Sequence, residues 1–133
     1  MPDSATPKPP PQRFVVSRAE GAEFDPKGLR SFFAYRDLGI GAATGGAYHA
    51  HVIRAKEACT AGTGRHRHAL AFQMVYVLRG EVSFWYEGQG TFTFKAGDSV
   101  LQPPGIAHEL QSCSADCELL EIVSPADFAT DPA

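Results

Sequence analysis

The chain has 133 residues, of which 44% are apolar and 20% charged, with a formal net charge of -3 at pH 7. That length carries one sizeable core and falls short of two ordinary domains, and the balance is that of a globular protein rather than a disordered one. The charge argues against a nucleic-acid surface, and no apolar run nears the roughly 18 residues that a membrane span needs.

Residues Met1 to Gln12 hold five prolines and almost nothing apolar. Burial cannot offset the ordering entropy of such a stretch, so residues 1–13 are expected to form a flexible tail ahead of a single domain over 14–133. The stretch also lacks the basic-then-apolar pattern of an export signal, which makes the cytoplasm the expected compartment. Two early extended pieces, Phe14-Val15-Val16 and Phe32-Phe33-Ala34-Tyr35, are separated by Asp25-Pro26-Lys27-Gly28, a turn sequence. Gly39 to Gly46 places four glycines in eight positions and reads as a loop.

Short extended runs follow over 47–55, 69–78, 81–86, 91–94, 99–102, 108–112 and 118–123. The breaks between them are rich in glycine and proline: Gly62 and Gly64, Arg79-Gly80, Glu87 to Gly90, Ala96-Gly97-Asp98 and Pro103-Pro104-Gly105. No stretch has convincing helical periodicity. Many short strands at close spacing predict an all-β fold, an antiparallel sandwich or barrel. Val82, Phe84 and Tyr86 alternate with Ser83, Trp85 and Glu87, and Trp85 makes the second face of that strand apolar as well. A second layer or a partner subunit would cover it, so a homodimer is expected.

Cys59, Cys113 and Cys117 are too few and too irregularly spaced for a disulfide framework or a zinc ribbon, and free thiols are expected. The alternative is a redox pair: a hairpin through Ser114-Ala115-Asp116 would set Cys113 and Cys117 within bonding reach.

The chemistry concentrates in Arg65-His66-Arg67-His68. Strand residues two apart point the same way, so His66 and His68 can present both imidazoles to one point inside a barrel, while Arg65 and Arg67 point outward. His49-Ala50-His51 has the same spacing without the flanking pattern, and these two are expected to be strand residues with no metal. Downstream of His68 stand Gln73, an apolar run from Met74 to Leu78, and Gly80. Further on, Gly97 is followed by Pro103, Gly105 and His108.

These two stretches resemble the paired motifs of the cupin superfamily, in which a His-x-His is followed by a Glu and a Gly, and a second motif reads Gly-x5-Pro-x-Gly-x2-His. The match holds at His66, His68, Gly80, Gly97, Pro103, Gly105 and His108. It departs at Gln73, where the family usually has Glu, at Ser112, where it often has Asn, and at the first-motif glycine, which neither Gly62 nor Gly64 places correctly. The resemblance covers about half the chain, roughly Thr60 to Val123, and implies a small β-barrel, or double-sheet jelly roll. It also implies one divalent transition metal ion (Fe, Mn, Ni, Cu, Co or Zn) held by His66, His68 and His108, with Gln73 as fourth ligand. Gln73 can ligate through its amide oxygen but brings no charge and accepts no proton at neutral pH. A site with Gln there carries about two positive charges instead of the one left by Glu, which makes it a stronger Lewis acid. Alternatively Gln73 only hydrogen-bonds inside the barrel, and water completes the coordination.

Phe72, Val75 and Val77 are expected to form a dry wall, with Tyr76 and Trp85 also shaping the pocket. Glu121 lies in the apolar run Leu119 to Val123. It is expected at a strand's wet edge or, if buried, paired with Arg54 or Arg79 or turned into the pocket. The function implied is a metal-dependent dioxygenase or related enzyme acting on a small organic molecule. The alternative is a module that binds or senses a small ligand without turnover. A transcription regulator is disfavoured, because no helix-turn-helix segment fits outside the barrel.

Overall fold

The computed structural model of the protein describes residues 11–27, 32–60 and 62–133. In chain order the elements are β1 (Phe33–Asp37), α1 (Ile40–Ala43), β2 (His49–Ala55), β3 (His66–His68), β4 (Phe72–Arg79), β5 (Glu81–Tyr86), β6 (Gly90–Lys95), β7 (Ser99–Leu101), β8 (His108–Cys113), β9 (Glu118–Ser124) and β10 (Thr130–Pro132). They build two five-stranded antiparallel sheets, β1-β2-β9-β4-β7 and β10-β3-β8-β5-β6. This is the expected double-sheet jelly roll. No helix among the described residues is long and apolar enough to cross a membrane.

Period-two alternation decides what faces inward. On β4 the inward set is Gln73, Val75 and Val77; on β9 it is Leu119, Glu121 and Val123; on β5 it is Val82, Phe84 and Tyr86. The core that results joins Phe33, Ile53, Val75, Val77, Phe84, Leu110 and Leu119 across the two sheets. Leu119, Val77, Val82, Val123 and Cys117 are its most deeply buried members. Gly80 turns β4 into β5 at a φ of +71°, and a Cβ there would meet Ser114 Oγ, Asp116 Oδ1 at 2.6 Å and the Cys117 backbone at 2.9 Å. Glycine is therefore required on both conformational and steric grounds.

Four expectations need correction. Phe14 to Val16 form no strand and are exposed, because no neighbouring strand receives them. The run expected to start at Ala69 begins at Phe72, since residues 69–71 spend their hydrogen bonds on Ala129 and Ser124 as the chain crosses between sheets. The glycine-rich loop contains one helical turn, α1, whose start is fixed by Asp37 Oδ1 accepting from Gly39 N at 2.7 Å. Strand β10, unmarked by any apolar alternation, pairs with β3. The turn before β1 keeps Asp25 Oδ1 accepting from Lys27 N. Gly28 and residues 1–10 of the expected tail lie outside the described residues.

Candidate metal centre

His66 and His108 face each other in register across β3 and β8, and His68 stands one alternation further along β3. Their ring centroids are 4.4 to 4.9 Å apart, and one ligating atom from each lies within 4.8 Å of the other two. Each ring is oriented through Nδ1. His66 Nδ1 meets Gly64 O at 3.0 Å, His108 Nδ1 meets Ile106 O at 3.1 Å, and His68 Nδ1 meets Thr130 Oγ1 at 2.8 Å. A carbonyl oxygen only accepts, so Nδ1 of His66 and His108 carries the hydrogen, and the lone pair of the neutral ring sits on Nε2. Thr130 can accept in the same way. A metal-ligating histidine commonly has its other ring nitrogen pinned by a carbonyl or similar acceptor, so the donor set fits a divalent ion.

A cavity of about 430 Å³ opens between the sheets over these rings. Phe33, Ile53, Val75, Phe84, Leu110 and Phe128 supply much of its apolar wall. The opposite wall carries a second polar group. Gln73 is buried on β4, and its Nε2 donates to Glu121 Oε2 at 2.9 Å. Glu121 is directly in register with His51 on β2, and Glu121 Oε1 meets His51 Nε2 at 2.7 Å. His51 Nδ1 in turn lies 3.3 Å from His49 Nε2. Burial would push the Glu121 carboxyl up, but the hydrogen bond and charge of His51, together with the bond from Gln73, outweigh it and hold the group below the usual carboxylate range. Burial, with repulsion from His51, lowers His49. Gln102, also at the cavity, donates through Nε2 to the Tyr86 hydroxyl at 2.7 Å, and its Oε1 is buried with no partner among the described residues. Burial raises the Tyr86 phenol well above its ordinary value, so it remains protonated.

The structure therefore brings His66, His68, His108, Gln73 and Val75 to one cavity and places the other expected pocket residues elsewhere. Phe72 and Tyr76 alternate outward from Gln73, Val75 and Val77 and are 39% and 40% exposed. Val77 points inward but sits in the packed core. Trp85 lies on the outer face of β5, where the Arg65 guanidinium stacks over it at 3.8 Å and covers the apolar surface that suggested a partner subunit.

Glu121 is not at a wet edge. It lines the cavity and takes its partners from His51 and Gln73, whereas Arg54 pairs with Glu118 and Arg79 with Asp116. His51, read as a plain strand residue, also lines the cavity. An ionisable residue at an inward position of an apolar strand was the available signal for Glu121. Nothing in the sequence paired it with His51, 70 residues away. The three cysteines are buried and none of them forms a disulfide. Cys59 and Cys113 exchange backbone hydrogen bonds across an isolated bridge, and a bond from the Cys117 thiol lowers the Cys113 thiol to about 7.

The family model described as a cupin domain matches residues 45–123, more than half of the chain. The protein belongs to the cupin family. Among solved structures it is similar to an RmlC-like cupin from Shewanella frigidimarina, with 24% identity over 87% of this chain and 95% of that one and a TM-score of 0.67. The polyketide cyclase RemF from Streptomyces resistomycificus is 15% identical over 91% of this chain and 86% of that one, with a TM-score of 0.72. Salicylate 1,2-dioxygenase from Pseudoaminobacter salicylatoxidans, in complex with gentisate, is 13% identical over 78% of this chain and 30% of that one, with a TM-score of 0.62. Likeness at these identities establishes the fold. No curated protein matches by sequence.

Proposed function

We propose that the protein is a metal-dependent dioxygenase or closely related enzyme acting on a small organic molecule. One observation carries this reading: two of the three facing histidines have Nδ1 held by a backbone carbonyl, which puts their lone pairs on Nε2 where a divalent ion would sit, and the third has Nδ1 against a hydroxyl that can accept in the same way. His66, His68 and His108 would hold the ion, with Gln73 Oε1 as the fourth ligand. A bound ion of this kind supplies Lewis acidity and open positions for substrate and oxygen.

The chain's own contribution is to orient the imidazoles, to exclude water with Phe33, Val75, Phe84, Leu110 and Phe128, and to keep an imidazole–carboxylate pair, His51 and Glu121, on the facing wall. The apolar lining suits a largely apolar or aromatic ligand bearing an oxygen chelating group. A small-molecule partner and a cytoplasmic setting belong to the same reading. So does a homodimer.

Elemental analysis of protein grown in metal-replete medium tests the proposal, together with oxygen uptake on diketones, thiols and catechols. Stoichiometric redox-active metal that is lost in His66→Ala, with uptake on one of these classes, is the expected result. Metal-free or zinc-filled protein with no uptake would transfer the function to ligand binding without turnover.

A further inference from the structure

The family's metal-binding position is occupied here by a neutral amide, while an unassigned carboxylate, Glu121, stands one alternation along on the neighbouring strand. A primary amide has two ends of similar shape and opposite use: the oxygen can ligate a cation, whereas the NH2 group presents hydrogens to it. Nothing in the shape of Gln73 decides which end faces the histidines. Glu121 does decide it. An ionised carboxylate only accepts, so the 2.9 Å contact to Glu121 Oε2 commits the Gln73 nitrogen to β9 and turns Oε1 away from it.

Glu121 is itself fixed. Its other oxygen accepts from His51 Nε2 at 2.7 Å, and His51 Nδ1 lies 3.3 Å from His49 Nε2. A row of polar contacts thus links His49 through His51 to Glu121 and meets the bond donated by Gln73 from the other side. Strand register makes the arrangement rigid, because His51, Glu121 and Val75 lie in one cross-strand row over β2, β9 and β4, with Gln73 one alternation along.

We infer that Glu121, held by His51, is a positioning residue that locks Gln73 as an oxygen ligand. It also places a carboxylate one residue further out than the motif position, which lacks one. The inference rests on the metal-binding reading above and adds to it the residue that makes a glutamine-bearing site workable. Three imidazoles, an amide and a divalent ion carry about two positive charges, which a carboxylate in contact with the amide opposes.

The test is titration of metal-free protein with Co(II) alone, reading the dissociation constant and the visible ligand-field spectrum, with the melting temperature of each metal-free variant as the control for folding. Glu121→Gln removes both the charge and the orientation lock. It should weaken Co(II) binding about tenfold or more, as loss of an outer hydrogen-bond partner does, and change the spectrum. The double variant Gln73→Glu/Glu121→Gln moves the carboxylate to β4 and the amide to β9, where the amide again donates across the pair, and Co(II) binding should recover. Should Glu121→Gln fail to fold, Glu121→Asp serves instead: it keeps the charge but withdraws the oxygen from Gln73, and it should still alter the spectrum.

Unchanged affinity and spectrum in a folded Glu121 variant, or a double variant that binds no better than Glu121→Gln, would overturn the inference alone. Wild-type protein that takes up no Co(II), or takes it up equally well as His66→Ala, would instead overturn the metal site and the inference with it.

Discussion

The two walls of the cavity are built in different ways. On the β3 and β8 wall, His66 and His108 are oriented by carbonyls only two residues away, at Gly64 and Ile106. On the facing wall, Glu121 is held by partners 70 and 48 residues distant, His51 and Gln73. A ligand and its orienting group can therefore share one short segment, as on the first wall, or exist as a unit only once β2, β9 and β4 have paired. The first kind of site survives as a sequence motif. The second is a property of strand register.

The sharpest way to break this contrast is to loosen the strand that carries Glu121. Leu119 sits two residues away on the same face of β9 and is 2% exposed. Leu119→Ala should cost about 2–5 kcal/mol in a urea melt, combining lost burial with the cavity left behind. Because the remote pairing depends on β9, the Co(II) spectrum of that variant should also change. A spectrum identical to wild type would show that the facing wall does not rely on core packing.

A smaller effect is expected on the local wall. Gly64 has φ +90° with nothing within 4 Å of an added Cβ, so Gly64→Ala meets no steric obstacle and strains only the backbone. The expected cost is about 1 kcal/mol, measured by thermal unfolding of metal-free protein. Co(II) affinity should fall as well, because the carbonyl that orients His66 moves with that backbone. If affinity holds while stability falls, the Gly64 carbonyl does not set the ring.

The smallest effect concerns His49, at the outer end of the remote chain. In the unfolded protein it takes a proton near its ordinary value of 6.5; in the folded protein burial and the neighbouring His51 hold it lower, against weaker opposing pulls from Asp37 and Glu121. The unfolded state therefore binds more protons between those two values, and stability falls as the pH drops through that window. His49→Asn should flatten the decline in melting temperature between about pH 7.5 and 5.5, a window set by the histidine range. A slope unchanged by the substitution would place the pH dependence elsewhere.

Much of the architecture was legible because strand alternation and turn chemistry are local. The runs at 81–86 and 118–123 became β5 and β9 with boundaries within a residue, and Gly80 stands at a turn that admits no side chain. The same alternation, applied strictly, would have sent Phe72 and Tyr76 outward as soon as Gln73 was placed inward. Their aromatic character suggested a pocket role that the geometry of the strand forbids. Trp85 misled for a related reason: the apolar face it creates is covered from within the chain by Arg65, a contact that depends on how β3 and β5 lie on either side of β8.

What the sequence by itself determined was the class of fold and the three histidines, because His66, His68 and His108 sit in motifs whose spacing and turns are written within a few residues. What only the tertiary structure decided was the company that Gln73 keeps. Its amide is oriented by a carboxylate on a strand far away in sequence, and that carboxylate by a histidine on a third strand. Such pairings follow from which strands become neighbours and in what register, a choice made by burying Leu119, Val75 and Val77 together across the whole core rather than by any local run of residues.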